Sequence, residues 1–489
     1  MGHKLKITGW ICLGLVAGSL TTVSLQTVAR STLAPLPLQE LQQLAEVFGM
    51  IKSNYVEPVD DKKLITDAIT GMVAGLDPHS VYLDKKALKD FNEGTTGKFV
   101  GVGIEISQEE GVIKVVSPIE GSPAFRAGLK PNDLIVKIDD TPVKGLSLNE
   151  GVKRMRGEPD TKVVLTIFRR DENRTFAVTI VREVIRTQSV RAKVIEPGYA
   201  WIRLSQFQER TVSDFARKVN DIYKEEPELK GLVLDLRNDP GGYLDAAVAI
   251  SAAFLPENVT IVSAKGQLPE SKFTYKAAPS YYARRGSDPL KQLDASTSEA
   301  LKAVNLVVLV NEGSASASEI VAGALQDHKR AKLLGSQTFG KGSVQTAVCL
   351  ESRFRMDNCP TAALKLTTSR YYTPSGKSIQ AKGIVPDVMV DETAQGNLFA
   401  VLRTREADLE KHLTNGQGAE AASPELEKAR EEARLRLEEE LKKPASERRL
   451  PEFGSDKDFQ LQQALNLLKG LEVQVSKTMV ERPEPKKEN

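Results

Sequence analysis

Ten residues, NEGSASASEI at 311–320, hold three serines spaced by alanines: Ser314, Ser316 and Ser318. They follow the apolar run NLVVLV and open the helical pattern SASEIVAGAL. Two roles fit a serine placed there. Ser316-Ala-Ser-Glu319 satisfies the S-x-x-E capping box, which closes a helix's first turn reciprocally and contributes on the order of 1 kcal/mol. The other role is attack on a carbonyl, which requires a base to take the hydroxyl proton.

The usual base is histidine, and the chain has only four, at positions 3, 79, 328 and 412. His3 lies at the extreme N-terminus, His412 in a charged region, and His79 in the break LDPHSVYL, where a structural or capping role is expected. His328 follows Ser316 by about three helical turns, roughly 18 Å along the axis, beyond hydrogen-bond reach. Lysine is the alternative. In GSQTFGKGSVQTAV, Lys341 stands between glycines ahead of a strand. A free lysine, with a pKa near 10.4, is a poor base; burial beside the positive end of a helix lowers that value. A fall of about 3 units makes it competent near neutral pH. Gln345, four residues on, falls on the same side of an alternating strand, from which its amide can orient the lysine.

These residues need elements to hold them. Over 190–390 the pattern is α/β: GLVLDLR (231–237) is a continuous apolar strand, followed by DPGG and the helix YLDAAVAISAAFL. Strand, sharp turn and helix recur at NLVVLV, NEGSA and SASEIVAGAL, which predicts a parallel sheet with both faces covered. Ligands of such sheets sit at the carboxyl ends of strands, where both glycine-bearing turns fall. Upstream, residues 31–95 carry helical spacing (Leu41, Leu44, Ala45, Phe48, Ile51). Residues 97–184 hold short β-rich runs punctuated by Gly, Pro and Asp, with one helix in SLNEGVKRM. Beyond 390, SPELEKAREEARLRLEEELKKP reads as an exposed, mixed-charge helix. The 489 residues therefore divide into an N-terminal segment (1–29), a helical region (31–95), a β domain (97–184), an α/β core (185–390) and a charged helical tail (391–489).

The bulk numbers exclude some classes. A net charge of +2 gives no reason to expect a nucleic-acid partner. The cysteines at 12, 349 and 359 form no CxxC pair, so no metal or redox site is expected. Lys4 and Lys6 precede the apolar run ITGWICLGLVAGSL, and TVAR offers a cut after Ala29, with Thr27 at −3. Export follows, with either cleavage or an uncleaved membrane anchor. In an oxidising compartment Cys349 and Cys359 can pair across a short loop, a constraint of roughly 3 kcal/mol in the entropic account; the alternative is two free thiols near a hairpin.

The run NEGSASASEIVAGALQDHKRA…GSQTFGKGSVQ, together with DLRNDPGG, GLDPHSVYL and RYYTPSGKSIQAKGIVPDV, resembles the carboxyl-terminal processing peptidase (tail-specific protease) family over residues 40–390. That resemblance implies Ser316 as nucleophile, Lys341 as general base and Gln345 as the residue orienting it. The oxyanion would be held by the backbone amides of Ala317 and Gly242. It also implies a ClpP/crotonase-like core. FVGVGIEI through KVVLTIFRR resembles an inserted PDZ domain, whose carboxylate-binding loop would be Val100, Gly101, Val102 and Gly103; a β domain used only for packing is the alternative. In the family this domain can occlude or open the active site, and Arg156 matches a position linking peptide binding to activation. The reading is an exported serine endopeptidase that grips unfolded or tail-exposed proteins by their C-termini and cleaves through an acyl-enzyme without cofactor or metal. Its place would be the periplasm, or the periplasmic face of the inner membrane, of a Gram-negative-type cell, as a homo-oligomer with an adaptor or lipoprotein activator. The competing class is a non-catalytic PDZ scaffold that presents envelope proteins to a partner.

Overall fold

The computed structural model describes residues 36–109, 111–119, 121–284, 286–351, 359–397, 404–415, 435 and 453–476. The expected export segment lies outside these residues, as does all of the charged helix after 416 except residue 435. Among the described residues no helix is long and apolar enough to cross a membrane. The chain divides into two compact units, Met1–Met72 and Val73–Asn489.

The first unit contains α1 (Leu38–Asn54) and nearly all of α2 (Asp61–Ala74). The apolar side chains that mark α1 as helical, Leu41 and Leu44 among them, are exposed, and α1 buries no residue.

The second unit begins differently from the helical reading of 31–95. The segment VYL forms β1 (Val81–Leu83), and only then does α3 (Lys85–Thr96) follow, capped by Asp84, whose side chain accepts from Ala87 N. Periodicity could not show β1, because its partner lies far along the chain: Val81 pairs with Lys365 and Leu83 with Ala363. Next, β2 (Lys98–Gly101) pairs with β9 (Glu183–Arg186). Between them lies a sheet ordered β3 (Ile104–Glu109), β4 (Val112–Pro118), β5 (Leu134–Ile138), β7 (Lys162–Arg169) and β8 (Arg174–Val181), with the short β6 (Thr141–Pro142) beside β5. The helix read in SLNEGVKRM is α4 (Leu148–Met155), opened by a Ser147/Glu150 capping box. This lobe has its own core, including Ile113, Ile135, Leu165 and Ile167. β3 is an edge strand of its sheet.

The α/β core carries two sheets. One runs β10 (Val190–Glu196), β11 (Tyr199–Leu204), β12 (Gly231–Asp235), β15 (Asn305–Val310), β16 (Lys332–Gly335) and β19 (Val388–Met389), parallel except for β10. β12 is buried at every position, as a strand covered on both faces must be. One face packs on α5 (Thr211–Glu225), α6 (Leu244–Phe254) and α8 (Ala317–Asp327), with α7 (Ala295–Ala303) beside them. The second sheet, antiparallel, orders β1, β18 (Ala363–Tyr372), β13 (Thr260–Gly266) and β14 (Phe273–Lys276), while β17 (Ser343–Cys349) flanks β18. Cys349 and Cys359 are joined, with Sγ atoms 2.09 Å apart.

The other face of the parallel sheet departs from the expected tail. Residues 453–476 include α9 (Phe459–Leu468), whose Leu461, Ala464 and Leu465 pack on Trp201, Val233, Val307 and Leu334. A buried clamp fixes this layer. Arg237, 1 % exposed, is held by Asp235, and Asp458 receives its Nη1 at 2.8 Å and Nη2 at 2.7 Å. The Phe453 ring lies against the same guanidinium, 4.4 Å from Cζ to the centroid. The C-terminal region is thus partly core, not wholly a solvated tail.

Candidate active site

Two loops meet at the carboxyl ends of β12 and β15. The strands are in parallel register, with Asp235 opposite Leu309, so the turns that leave them lie side by side. Asn238 N donates to Asn311 Oδ1 at 2.9 Å, and Ala315 N to the Asp239 carbonyl at 2.9 Å. Ser314 Oγ donates to the Leu236 carbonyl and Ser318 Oγ to the Asp239 carbonyl. Two of the three serines are therefore stitches between the turns, both fully buried.

Ser316 is set apart by its backbone. It is the N-cap of α8, with φ 55° and ψ −109°. A non-glycine residue in that region is strained by roughly 1–3 kcal/mol and persists only where its surroundings impose it. Glu319 imposes part of it, accepting from Ser316 N at 2.8 Å, the carboxylate half of the expected capping box.

The DPGG turn reaches the same place. Gly241 has φ +96°, and a Cβ there would stand 2.8 Å from Ala317 N and 2.9 Å from Ser316 Cβ. Gly242 has φ +146°, and a Cβ there would stand 2.0 Å from the Phe207 carbonyl oxygen. Only glycine allows so close an approach. Neither Ala317 N nor Gly242 N donates to an acceptor among the described residues. Asp239 braces the turn: its Oδ1 accepts from Gly241 N at 2.8 Å, while its Oδ2 has no hydrogen-bond partner among the described residues. Burial pushes its carboxyl well above the usual carboxylate range.

Lys341 stands on the loop between β16 and β17, with its backbone N–H held by Glu319 Oε2 at 2.9 Å. Burial pushes its ammonium down from 10.5 to about 8, aided by the charge of Lys365 and opposed by Glu406, Glu319 and Asp77. Among the described residues no hydrogen bond joins Lys341 Nζ to Ser316 Oγ. Gln345 is engaged elsewhere: its Nε2 donates to Ser343 Oγ at 2.9 Å and to Thr367 Oγ1 at 3.2 Å. One feature removes the alternation expected between Lys341 and Gln345. Lys341 precedes β17, in the loop after β16, so the period of two does not extend to it; the bulge beside Gln345 lies on the partner strand, where Thr368 is the extra residue.

Several groups near the lysine were not assigned from sequence. Asp77 accepts from His79 N, Ser80 N and Oγ, and Thr367 Oγ1. The His79 ring lies 2.7 Å from Glu406 Oε2, and Glu406 Oε1 accepts from Gln380 Nε2. The Asp77–Thr367 and His79–Glu406 contacts span 290 and 327 residues, so no local spacing announces them. His328 is remote from this chemistry, with Nε2 2.7 Å from the Thr260 carbonyl.

In the β lobe, Val100 and Gly101 pair with β9, while Val102 and Gly103 lead into the edge strand β3. The carbonyls of Val102 and Gly103 accept from Ala124 N and Ile119 N; their amides have no acceptor among the described residues. Arg156 caps the C-terminus of α4 and reaches α3: Nη1 donates to Glu93 Oε2 at 2.7 Å, and Cζ lies 5.0 Å from the Phe99 ring centroid. Among the described residues no group of His, Cys, Asp and Glu side chains is arranged to hold a metal ion.

Comparison with known proteins matches residues 198–390 to the model of Peptidase family S41, residues 100–180 to that of a PDZ domain, and residues 17–87 to the "Activating protease CtpB N-terminal domain". The chain is 42% identical over 382 residues to a carboxy-terminal-processing protease of Bartonella bacilliformis, covering 77% of this chain and 82% of that protein. It is 36% identical over 411 residues to a probable CtpA-like serine protease of Staphylococcus aureus, covering 82% and 77%. Among solved structures, the photosystem II D1 C-terminal processing protease aligns at 31% identity and a TM-score of 0.40, over 71% of this chain and 86% of that one.

Proposed function

The chain belongs to peptidase family S41, a serine peptidase of the carboxy-terminal-processing kind with a PDZ domain, and on that premise we propose that it cleaves polypeptides with Ser316 as nucleophile and Lys341 as general base. One observation carries the reading: a strained serine at a helix N-terminus, beside two unengaged amides, with a lysine of depressed pKa on the adjoining loop.

The chemistry follows from those groups. Neutral Lys341 takes the Oγ proton as Oγ bonds to the scissile carbonyl carbon. The carbonyl electron pair moves onto oxygen, where the N–H groups of Ala317 and Gly242 hold it. Collapse breaks the C–N bond, and the lysine ammonium protonates the departing amine. Water, deprotonated by the same lysine, then attacks the acyl carbon, and the lysine ammonium returns that proton to Ser316 Oγ as the C–Oγ bond breaks. Because Lys341 Nζ is not bonded to Ser316 Oγ, the reading includes a closing step that brings them together. In that step Gln345 exchanges its Ser343 and Thr367 contacts for the lysine.

The substrate end is a free C-terminal carboxylate, captured by the unengaged amides of Val102 and Gly103 while the tail adds to the edge of β3. Unfolded or tail-exposed proteins are the substrate class. The lysine-flanked apolar segment over 4–20 supports export and a site of action at the periplasmic face of the inner membrane. There an adaptor or lipoprotein activator, or self-association, would supply the closing signal. Purified Ser316→Ala and Lys341→Ala proteins, assayed on denatured casein, test the dyad: either one degrading at the wild-type rate overturns it.

A further inference from the structure

Glu319 takes no part in the chemistry just set out, yet it is fully buried on the first turn of α8. Its two oxygens accept four hydrogen bonds. Oε1 receives Thr338 Oγ1 at 2.5 Å and Gly340 N at 2.7 Å; Oε2 receives Ser316 N at 2.8 Å and Lys341 N at 2.9 Å. A capping box needs only the bond to Ser316. The other three reach a loop that leaves a different strand.

We propose that Glu319 is a positioning residue that sets the Lys341 loop against the Ser316 elbow, by holding the backbone amides of nucleophile and base on one carboxylate oxygen. The inference rests on the Ser316/Lys341 dyad. Its physical basis is the convergence of donors. Four N–H or O–H groups point at one side chain, and only a group that accepts at every position suits them. The two bonds on Oε2 fix two backbones to a common atom, and so to each other. The bond from Ser316 N also helps impose the strained φ of 55°. Burial pushes the Glu319 carboxyl up to about 7, against the four donors that favour its anion.

Glutamine has the same size but turns an NH2 group toward two of the four donors. Glu319→Gln must therefore open the clamp on one side. Steady-state kinetics on the full chain separate positioning from mere stability. The substrate is an unstructured fluorogenic peptide with an apolar residue at its free C-terminus; folding is checked by circular dichroism and urea unfolding. For folded Glu319→Gln, kcat is expected to fall about 100-fold with KM within about twofold of wild type, because alignment of the reacting groups is lost while substrate contacts remain. A folded Glu319→Gln protein with kcat within about threefold of wild type, or with its loss confined to KM, overturns the proposal. If Glu319→Gln fails to fold, Thr338→Val decides. It removes one donor from Oε1 and is expected to lower kcat about fivefold at unchanged KM; unchanged kcat overturns the proposal. Lys341→Ala, run alongside, keeps the two readings apart. If Lys341→Ala is dead and Glu319→Gln fully active, the clamp alone falls; if Lys341→Ala turns over at the wild-type rate, the dyad falls and the clamp with it.

Discussion

At the scale of the residue, the proposed mechanism depends on Lys341 being uncharged. Its folded pKa of about 8 lies below the ordinary 10.5, which gives two expectations. The first is kinetic: kcat/KM rises with pH through about 8 as the amine loses its proton, and a pH–rate profile with no acid limb there overturns the assignment of base. The second is thermodynamic. Below about 8 both folded and unfolded chains carry the ammonium, and the folded state bears the full burial cost. Between about 8 and 10.5 the unfolded chain holds more protons, so stability climbs with pH. Lys341→Met is therefore expected to be more stable than wild type below pH 8, by up to about 3 kcal/mol, with the gap closing toward pH 10.5, as read by urea unfolding across that range. Gly242 is the second single-residue constraint. In Gly242→Ala the new methyl meets the Phe207 carbonyl at 2.0 Å, the turn must move, and one of the two proposed oxyanion donors goes with it. The expected loss is about 100-fold or more in kcat, measured on folded protein.

At the scale of the element, what the sequence announces is what is local. GLVLDLR and NLVVLV read as buried parallel strands because their apolar runs are continuous, and β12 and β15 are such strands. The turns after them carry the glycines and serines of the candidate site, so Ser316, Ala317 and Gly242 come together as two adjacent strand ends require. What needed the structure is non-local. The pairing of β1 with β18 joins residues 81–83 to 363–365. Lys341 lies ahead of β17, which begins at Ser343, so a count of alternation from Gln345 does not reach it. The layer formed by α9 was hidden by the charged composition around it, although LQQALNLL supplies its apolar stripe. The clamp between Arg237 and Asp458 is the strongest test of that layer. Removing Asp458 leaves a fully buried guanidinium short of a countercharge, and Asp458→Ala is expected to cost about 3–5 kcal/mol in urea unfolding. A loss under about 1 kcal/mol would show that α9 is dispensable.

At the scale of the whole molecule, the question is whether the PDZ lobe is coupled to the core. Arg156 joins α4 of that lobe to Glu93 of α3 and Phe99 of β2. An exposed pair of this kind contributes at most about 1 kcal/mol to stability. Arg156→Ala is thus expected to leave unfolding unchanged within that margin while lowering turnover of a substrate with a free C-terminus; equal turnover would confine Arg156 to packing. Replacing the substrate's terminal carboxylate with an amide is expected to reduce kcat/KM about 10-fold or more, the loss of charge-assisted hydrogen bonds to the loop amides. The order of the chain adds a constraint of time. The Arg237 guanidinium is held by one carboxylate two residues away, Asp235, and by a second 221 residues downstream, Asp458, which a ribosome delivers long after β12 has been made. A nascent chain therefore lacks the layer that packs on Val233 of β12 and Val307 of β15 until α9 has been made. If Ser316 and Lys341 act as proposed, a chain still being made is expected to be inactive until α9 has packed on the parallel sheet.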